Sequence, residues 1–311
     1  MDTKSETLRK TNKIALINVR VFDGQVIREP STVVIDGELI GTDSEGAQVI
    51  DGKGGILLPG LIDAHIHLEN EDTLRQMSKF GITTGLDMAT WPPSKLNNLR
   101  NRVGMTDIRS PGVPATSPGS LHSCILPFPT DELVANPDDA KSYIARRIAE
   151  GVDYIKVVCD VPGPDQVTLN VLVNEAHKHK KLVIAHASAS VPFAMAQYAG
   201  ADVITHAPCD RALDHEAASR MVAEKRIAVP TLAMMEAVTK PPSWSAILSL
   251  LFRPTVLFAI IRARRQNPQY QNNKYENARD SVTAMYHAGV PILAGTDAHS
   301  PADSPFEVGN L

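Results

Sequence analysis

The chain has 311 residues, 43% hydrophobic and 21% charged, with a formal net charge of −4. This is the profile of an ordinary globular protein, long enough for one large α/β domain plus a small one, and its charge excludes a nucleic-acid footprint. The three cysteines, Cys124, Cys159 and Cys209, exclude a disulfide framework and a Cys-rich zinc site, and fit a reducing, cytoplasmic compartment.

The segment Met1 to Lys10 is polar and mixed in charge, so it is not read as a secretory signal. Residues 13–20 and 32–40 are predicted strands with a turn at Asp36-Gly37, and no helix pattern interrupts them. Residues 1–58 are therefore read as a small β-subdomain. From residue 59 the texture becomes strand–helix alternation. Strands are predicted near 61–67, 82–88, 110–116, 153–159, 182–187, 202–206, 227–232 and 291–296. Helical patterns fall at 71–80, 138–150, 166–180, 190–199, 213–225 and 274–288. Eight strands with intervening helices predict a parallel (β/α)8 TIM barrel over residues 59–311. The third strand is the weakest, because Pro111 and Pro114 disfavour ladder pairing.

Residues 232–273 are too many for one crossover and read as extra helices over the barrel mouth. The most hydrophobic stretch, Ala246 to Ile261, is broken by Arg253-Pro254 and is shorter than the roughly 20 residues that span a bilayer. No stable membrane insertion is expected, although Arg262, Arg264 and Arg265 would also suit a helix lying on a membrane surface. Trp244 to Ile261 would form an apolar lid, or would simply pack on the barrel wall. The chain stops at Leu311, 14 residues after Asp297, so the barrel is expected to be incomplete after strand eight or the chain a truncated form of a longer one.

His65 and His67 close an apolar strand behind the Pro59-Gly60 turn. In a strand, residues i and i+2 share a face, so both imidazoles project toward one point. His177 and His179 have the same spacing in a helical pattern, where i and i+2 lie about 200° apart and diverge. A barrel active site lies at the carboxyl ends of its strands. Strand four carries Lys156, strands five and six end in His186 and His206, and strand eight ends in Asp297. Singly, each has a plainer reading: a core histidine, a snorkelling lysine, a helix N-cap. Together they fall at one end of five strands. Imidazoles and a carboxylate are good zinc ligands. A buried lysine is shifted toward its neutral amine, which CO2 can convert to an anionic carbamate able to bridge two metals. The expected centre is two zinc ions bridged by carbamylated Lys156, with His65, His67 and Asp297 on one and His186 and His206 on the other. Manganese, iron or cobalt would also suit such donors.

At these residues the chain resembles the metal-dependent amidohydrolase superfamily. The resemblance covers nearly the whole chain, from Ile17 to Gly24, through the most specific segment Val49 to His67, to Tyr154-Ile155-Lys156-Val157, Ala185-His186-Ala187, Thr205-His206-Ala207 and Gly295-Thr296-Asp297-Ala298. The strand-four lysine makes it similar to the prolidase-like and ochratoxinase-like branch. That branch often has a substrate-contacting histidine two residues after the strand-five ligand, where this chain has Ser188. The segment Thr116 to His122 resembles a substrate loop after strand three, which makes His122 a candidate contact.

The resemblance implies a metal-dependent hydrolase that cleaves an amide, or a related lactone or ester, of a small molecule by metal-activated hydroxide. Asp297 is the expected general base and then acid. Two other classes compete: a non-catalytic metal- or ligand-binding barrel, and a metal-dependent lyase, isomerase or decarboxylase on the same scaffold. A homo-oligomer is compatible with the sequence, which does not encode the oligomeric state legibly.

Overall fold

The structure, a computed structural model, describes residues 13–240, 248, 252–266 and 272–297. The chain divides into two compact units, Met1–Gly60 and Leu61–Leu311.

The first unit is a five-stranded sheet. Its central strand β1 (Lys13–Phe22) pairs antiparallel with β2 (Ile27–Asp36) and parallel with β4 (Gln48–Asp51) and β5 (Ile56–Leu57). β2 folds back onto β3 (Leu39–Gly41) through the expected Asp36-Gly37 turn, with Gly37 at φ +62°. That left-handed conformation suits a residue with no Cβ.

The second unit alternates strands and helices, and its two sheets are parallel throughout. One sheet joins β6 (Leu61–Ile66), β7 (Ile82–Asp87) and β8 (Asp107–Arg109). The other joins β9 (Ile155–Val158), β10 (Val183–His186), β11 (Val203–Thr205) and β12 (Ile227–Val229). All four residues of β9 are buried, as expected of a parallel strand covered on both faces.

Helices follow most of these strands: α1 (Glu71–Lys79), α2 (Pro93–Asn97), α3 (Leu121–Ile125), α4 (Pro137–Ala149), α5 (Gln166–Lys178), α6 (Ser190–Ala199), α7 (His215–Ala223), α8 (Leu232–Thr239), α9 (Pro254–Gln266) and α10 (Tyr275–Ala288). Their boundaries are set by local chemistry. Asn70, Asn136, Asp165 and Asp214 accept backbone N–H bonds at the starts of α1, α4, α5 and α7. Gly200 and Gly289 end α6 and α10 in the left-handed conformation.

Tyr143, Leu169, Leu172, Phe193 and Met221 pack the helices onto the larger sheet. Ile66, Leu74, Met77 and Ile108 do the same for the smaller one. A third cluster, Ala64, Met88, Tyr154, Ile184, Val203 and Val229, draws on both sheets.

The expected third and eighth strands differ from what is observed. Residues 110–116 are not a strand; β8 lies just before them, and the proline-bearing segment makes one isolated bridge, Ala115 to Val157. Pro111 and Pro114 have no N–H to donate to a ladder. Residues 291–296 likewise make one isolated bridge, Ile292 to Ala228. Both segments still hydrogen-bond to their neighbours. Ala115 N donates to Lys156 O (2.8 Å), Leu293 N to Ala228 O (2.9 Å) and Ala64 N to Ala294 O (2.9 Å). Among the described residues, no helix is long and apolar enough to cross a membrane.

Candidate metal centre

β6 and the residue just after it carry the first donors, His65 and His67. His65 is buried, His67 is half-buried, and their Nε2 atoms lie 3.3 and 3.2 Å from Asp297 Oδ1. Asp297 reaches them because its backbone N donates to His65 O at 2.7 Å. Asp63 ties the same two segments together. Its carboxylate accepts from the backbone N of His65 and of Thr296 (both 3.1 Å) and from Thr296 Oγ1 (2.6 Å). Gly295 permits the close approach, since a Cβ there would lie 2.9 Å from His65 Cβ.

The other expected donors come from the larger sheet. His186 is the last residue of β10 and His206 follows β11. His206 Nδ1 pairs with Thr231 Oγ1 at 2.7 Å and lies 3.7 Å from Asp297 Oδ2. The threonine contact orients the ring and leaves Nε2 for another partner. His206, Thr231 and Asp297 have φ of +74°, +45° and +58°. Three non-glycine residues in this costly region mark a site where side-chain placement outweighs backbone comfort.

Lys156 is buried within β9, and its Nζ donates to Thr205 Oγ1 at 3.0 Å. His122 pairs through Nδ1 with Asp160 Oδ2 at 2.6 Å, and His186 Nε2 lies 3.6 Å from Asp160 Oδ1. Ring centroids step from His65 to His206 (4.9 Å), to His186 (4.4 Å) and to His122 (4.6 Å). The donors thus sort into two groups, each with its ligand atoms within 4.8 Å of one another: His65, His67 and Asp297, and His122, Asp160 and His186.

Burial sets the protonation of this cluster. It lowers the His65 imidazole to about 4 and pushes His186 and His206 well below the usual histidine range. It also lowers Lys156 to about 7. Burial opposes ionisation of Asp297, but His65, His67 and His206 beside it hold its carboxyl well below the usual range. Neutral His65, His186 and His206 next to an ionised Asp297 are in the protonation state that metal ligands require, so these side chains fit a divalent metal.

The same shifts predict an acid-labile metal-free protein. Folded His65 holds its proton only below about 4, against 6.5 when unfolded, so the unfolded chain binds more protons between those values. Stability then rises with pH through that window, and its full loss below it is worth about 3 kcal/mol for His65. His186 and His206 act in the same direction. Urea unfolding of chelated protein at pH 7 and at pH 4.5 measures this, and a flat profile contradicts it.

The control pair behaves as helical geometry requires. His177 on α5 pairs with Asp202 at 2.8 Å, while His179 is the exposed residue that ends the helix. Several site residues escaped sequence reading. Asp160 follows β9, Asp87 ends β7, and Asp63 precedes the histidine pair. Asp87 is fully buried and accepts from Leu68 N (3.0 Å) and Ser110 Oγ (2.6 Å), fixing the loop that leaves His67. A search for every polar residue at a strand end, rather than for histidine and lysine, would have flagged Asp87 and Asp160.

A cavity of about 440 Å³ opens on these residues, and His65, His67, His122, Lys156, Asp160, His186, Ser188, His206 and Asp297 all line it. The rest of its wall is mostly apolar, including Leu121, Ile125, Phe128, Met234 and Val238. Of the expected lid, Ile260 on α9 lines the cavity, while Trp244 lies outside the described residues.

No family model matches the chain. An adenine deaminase of Bacillus licheniformis is 26% identical over 234 residues, which are 72% of this chain and 38% of that protein. An adenine deaminase of Methylobacterium nodulans is 27% identical over 314 residues, 94% of this chain and 51% of that one. The chain thus spans between 38% and 51% of the length of these two relatives. Among solved structures, a Xaa-Pro dipeptidase with bound methionine superposes with a TM-score of 0.73 at 20% identity, covering 93% of this chain and 80% of that one. An Aspergillus niger ochratoxinase gives 0.67 at 15% identity, covering 96% and 79%.

The chain is thus similar in sequence to adenine deaminases and shares its fold with these dipeptidase and ochratoxinase structures. The two donor groups are the candidates for holding a divalent metal ion.

Proposed function

We propose that this chain is a metal-dependent hydrolase that breaks a carbon–nitrogen bond in a small, largely apolar molecule. The observation that carries the reading is that His65, His67, Lys156, His186, His206 and Asp297 line one cavity whose remaining wall is mostly apolar. We read the two sheets and the segments 110–116 and 291–297 as one (β/α)8 barrel, with this cavity at the carboxyl ends of its strands.

In this proposal two zinc ions would be held, one by His65, His67 and Asp297 and the other by His186 and His206, with carbamylated Lys156 as a donor both would share. Bound divalent metal supplies Lewis acidity toward the scissile carbonyl and lowers the pKa of water. Asp297 takes the proton of the attacking water and returns it to the leaving nitrogen as the C–O bond forms and the C–N bond breaks. Thr231 holds the His206 ring in register. Ile125, Leu126, Phe128 and Val238 give the substrate an apolar bed and exclude bulk water. Ser188 and His122 contact the substrate at the wall. Deamination of an aminopurine is a second reading, motivated by the adenine deaminases among the relatives.

The test is turnover of zinc- and bicarbonate-loaded protein on N-acyl amino acids, aryl amides and adenine in 18O-labelled water. Hydrolysis places labelled oxygen in the product, whereas lyase, isomerase or decarboxylase chemistry does not. Metal-loaded protein that turns over nothing on a broad panel overturns the proposal in favour of a binding protein.

A further inference from the structure

We propose that Asp160 and His122 are further ligands of the second cation beside His186, with His122 binding the metal in place of the substrate contact given above. This rests on the metal-dependent reading above and extends it to two residues with no assigned metal role. Asp160 is 4% exposed and stands just beyond the end of β9, while His186 ends the neighbouring strand β10. His122 comes from α3, whose start is fixed by Ser120 Oγ accepting from Ser123 N at 3.1 Å.

The spacing suits a shared ion. Two ligands on a tetrahedral zinc at about 2.0–2.1 Å are roughly 3.4 Å apart. Asp160 Oδ2 is 2.6 Å from His122 Nδ1, its Oδ1 is 3.6 Å from His186 Nε2, and all three donors lie within 4.8 Å of one another. The first group, with Nε2 to oxygen distances of 3.2 and 3.3 Å, has the same scale. One acidic oxygen and two imidazoles also make a donor set typical of zinc.

Charge gives a second reason: removing the buried Asp160 carboxylate from water is costly, and a divalent cation between Asp160 and His186 would offset that cost.

Zinc titration by calorimetry, repeated with cobalt(II) followed by visible absorption, tests this on the whole chain. The wild type is expected to bind two equivalents. Asp160→Asn keeps the side-chain shape and removes the charge. It should weaken the second step at least 10-fold and leave the first unchanged. His122→Ala, at a half-buried position on a short helix, should weaken the same step and guards against a folding defect in the Asp160 variant. His65→Ala should weaken the other step. If both variants bind the second equivalent with wild-type affinity and unchanged cobalt absorption while His65→Ala loses metal, Asp160 and His122 are not ligands and the hydrolase reading stands. If the wild type binds neither zinc nor cobalt, both readings fall together.

Discussion

Lys156→Ala is expected to lose bound metal and activity together. Lys156 is buried in β9, and burial lowers its amine to about 7. Near neutral pH about half of it is then the neutral, CO2-reactive form, against roughly one part in a thousand for an exposed lysine. In the proposed centre, reaction with CO2 would form an N–C bond, release one proton and leave an anionic oxygen donor where an ammonium would repel a cation. Alanine removes that donor and the hydrogen bond to Thr205. Metal content should fall below two equivalents and turnover by at least about 10³-fold, the scale for losing electrostatic stabilisation of a transition state. Elemental analysis of purified variant and wild type, both grown with zinc, is the measurement. Full zinc retention with wild-type turnover removes Lys156 from the centre. Because only the neutral amine reacts, bicarbonate should activate metal-stripped wild type better above pH 7 than below it.

Asp297→Asn should abolish proton transfer while leaving the cavity intact. Its carboxylate touches His65 and His67 and lies near His206, and these neighbours keep it ionised. An amide of the same shape cannot accept the proton. General acid–base catalysis contributes about 10²–10⁴-fold, so kcat should fall by that factor with KM little changed. The lost charge also weakens the first metal step, so rates are compared at saturating zinc. A variant retaining more than a tenth of wild-type kcat under those conditions excludes Asp297 as the base.

Much of this architecture was legible because it is written in local chemistry. The apolar runs of β9, β10 and β11 read as buried parallel strands, and they are. The helical pattern at 190–199 coincides with α6, which ends at Gly200, and that at 274–288 with α10, which ends at Gly289. His65 and His67 were readable as a convergent pair because strand periodicity alone puts both on one face. His177 and His179 were separable from them for the complementary reason. The strand expected over 110–116 fails where Pro111 and Pro114 withhold donors, a warning already present in the residues.

What the amino-acid sequence determined by itself was the order of strands and helices and the residues at the strand ends. These follow from side-chain period, capping and turn chemistry among near neighbours in the chain. The tertiary structure alone decided which of those ends meet. Asp160 and His122 are 38 positions apart and join at 2.6 Å. Asp63 grips Thr296 across 233 positions. No periodicity encodes such pairs, because loop paths depend on how all the packed elements share one interior. The gathering of His122 and Asp160 around His186 therefore became visible only with the chain folded.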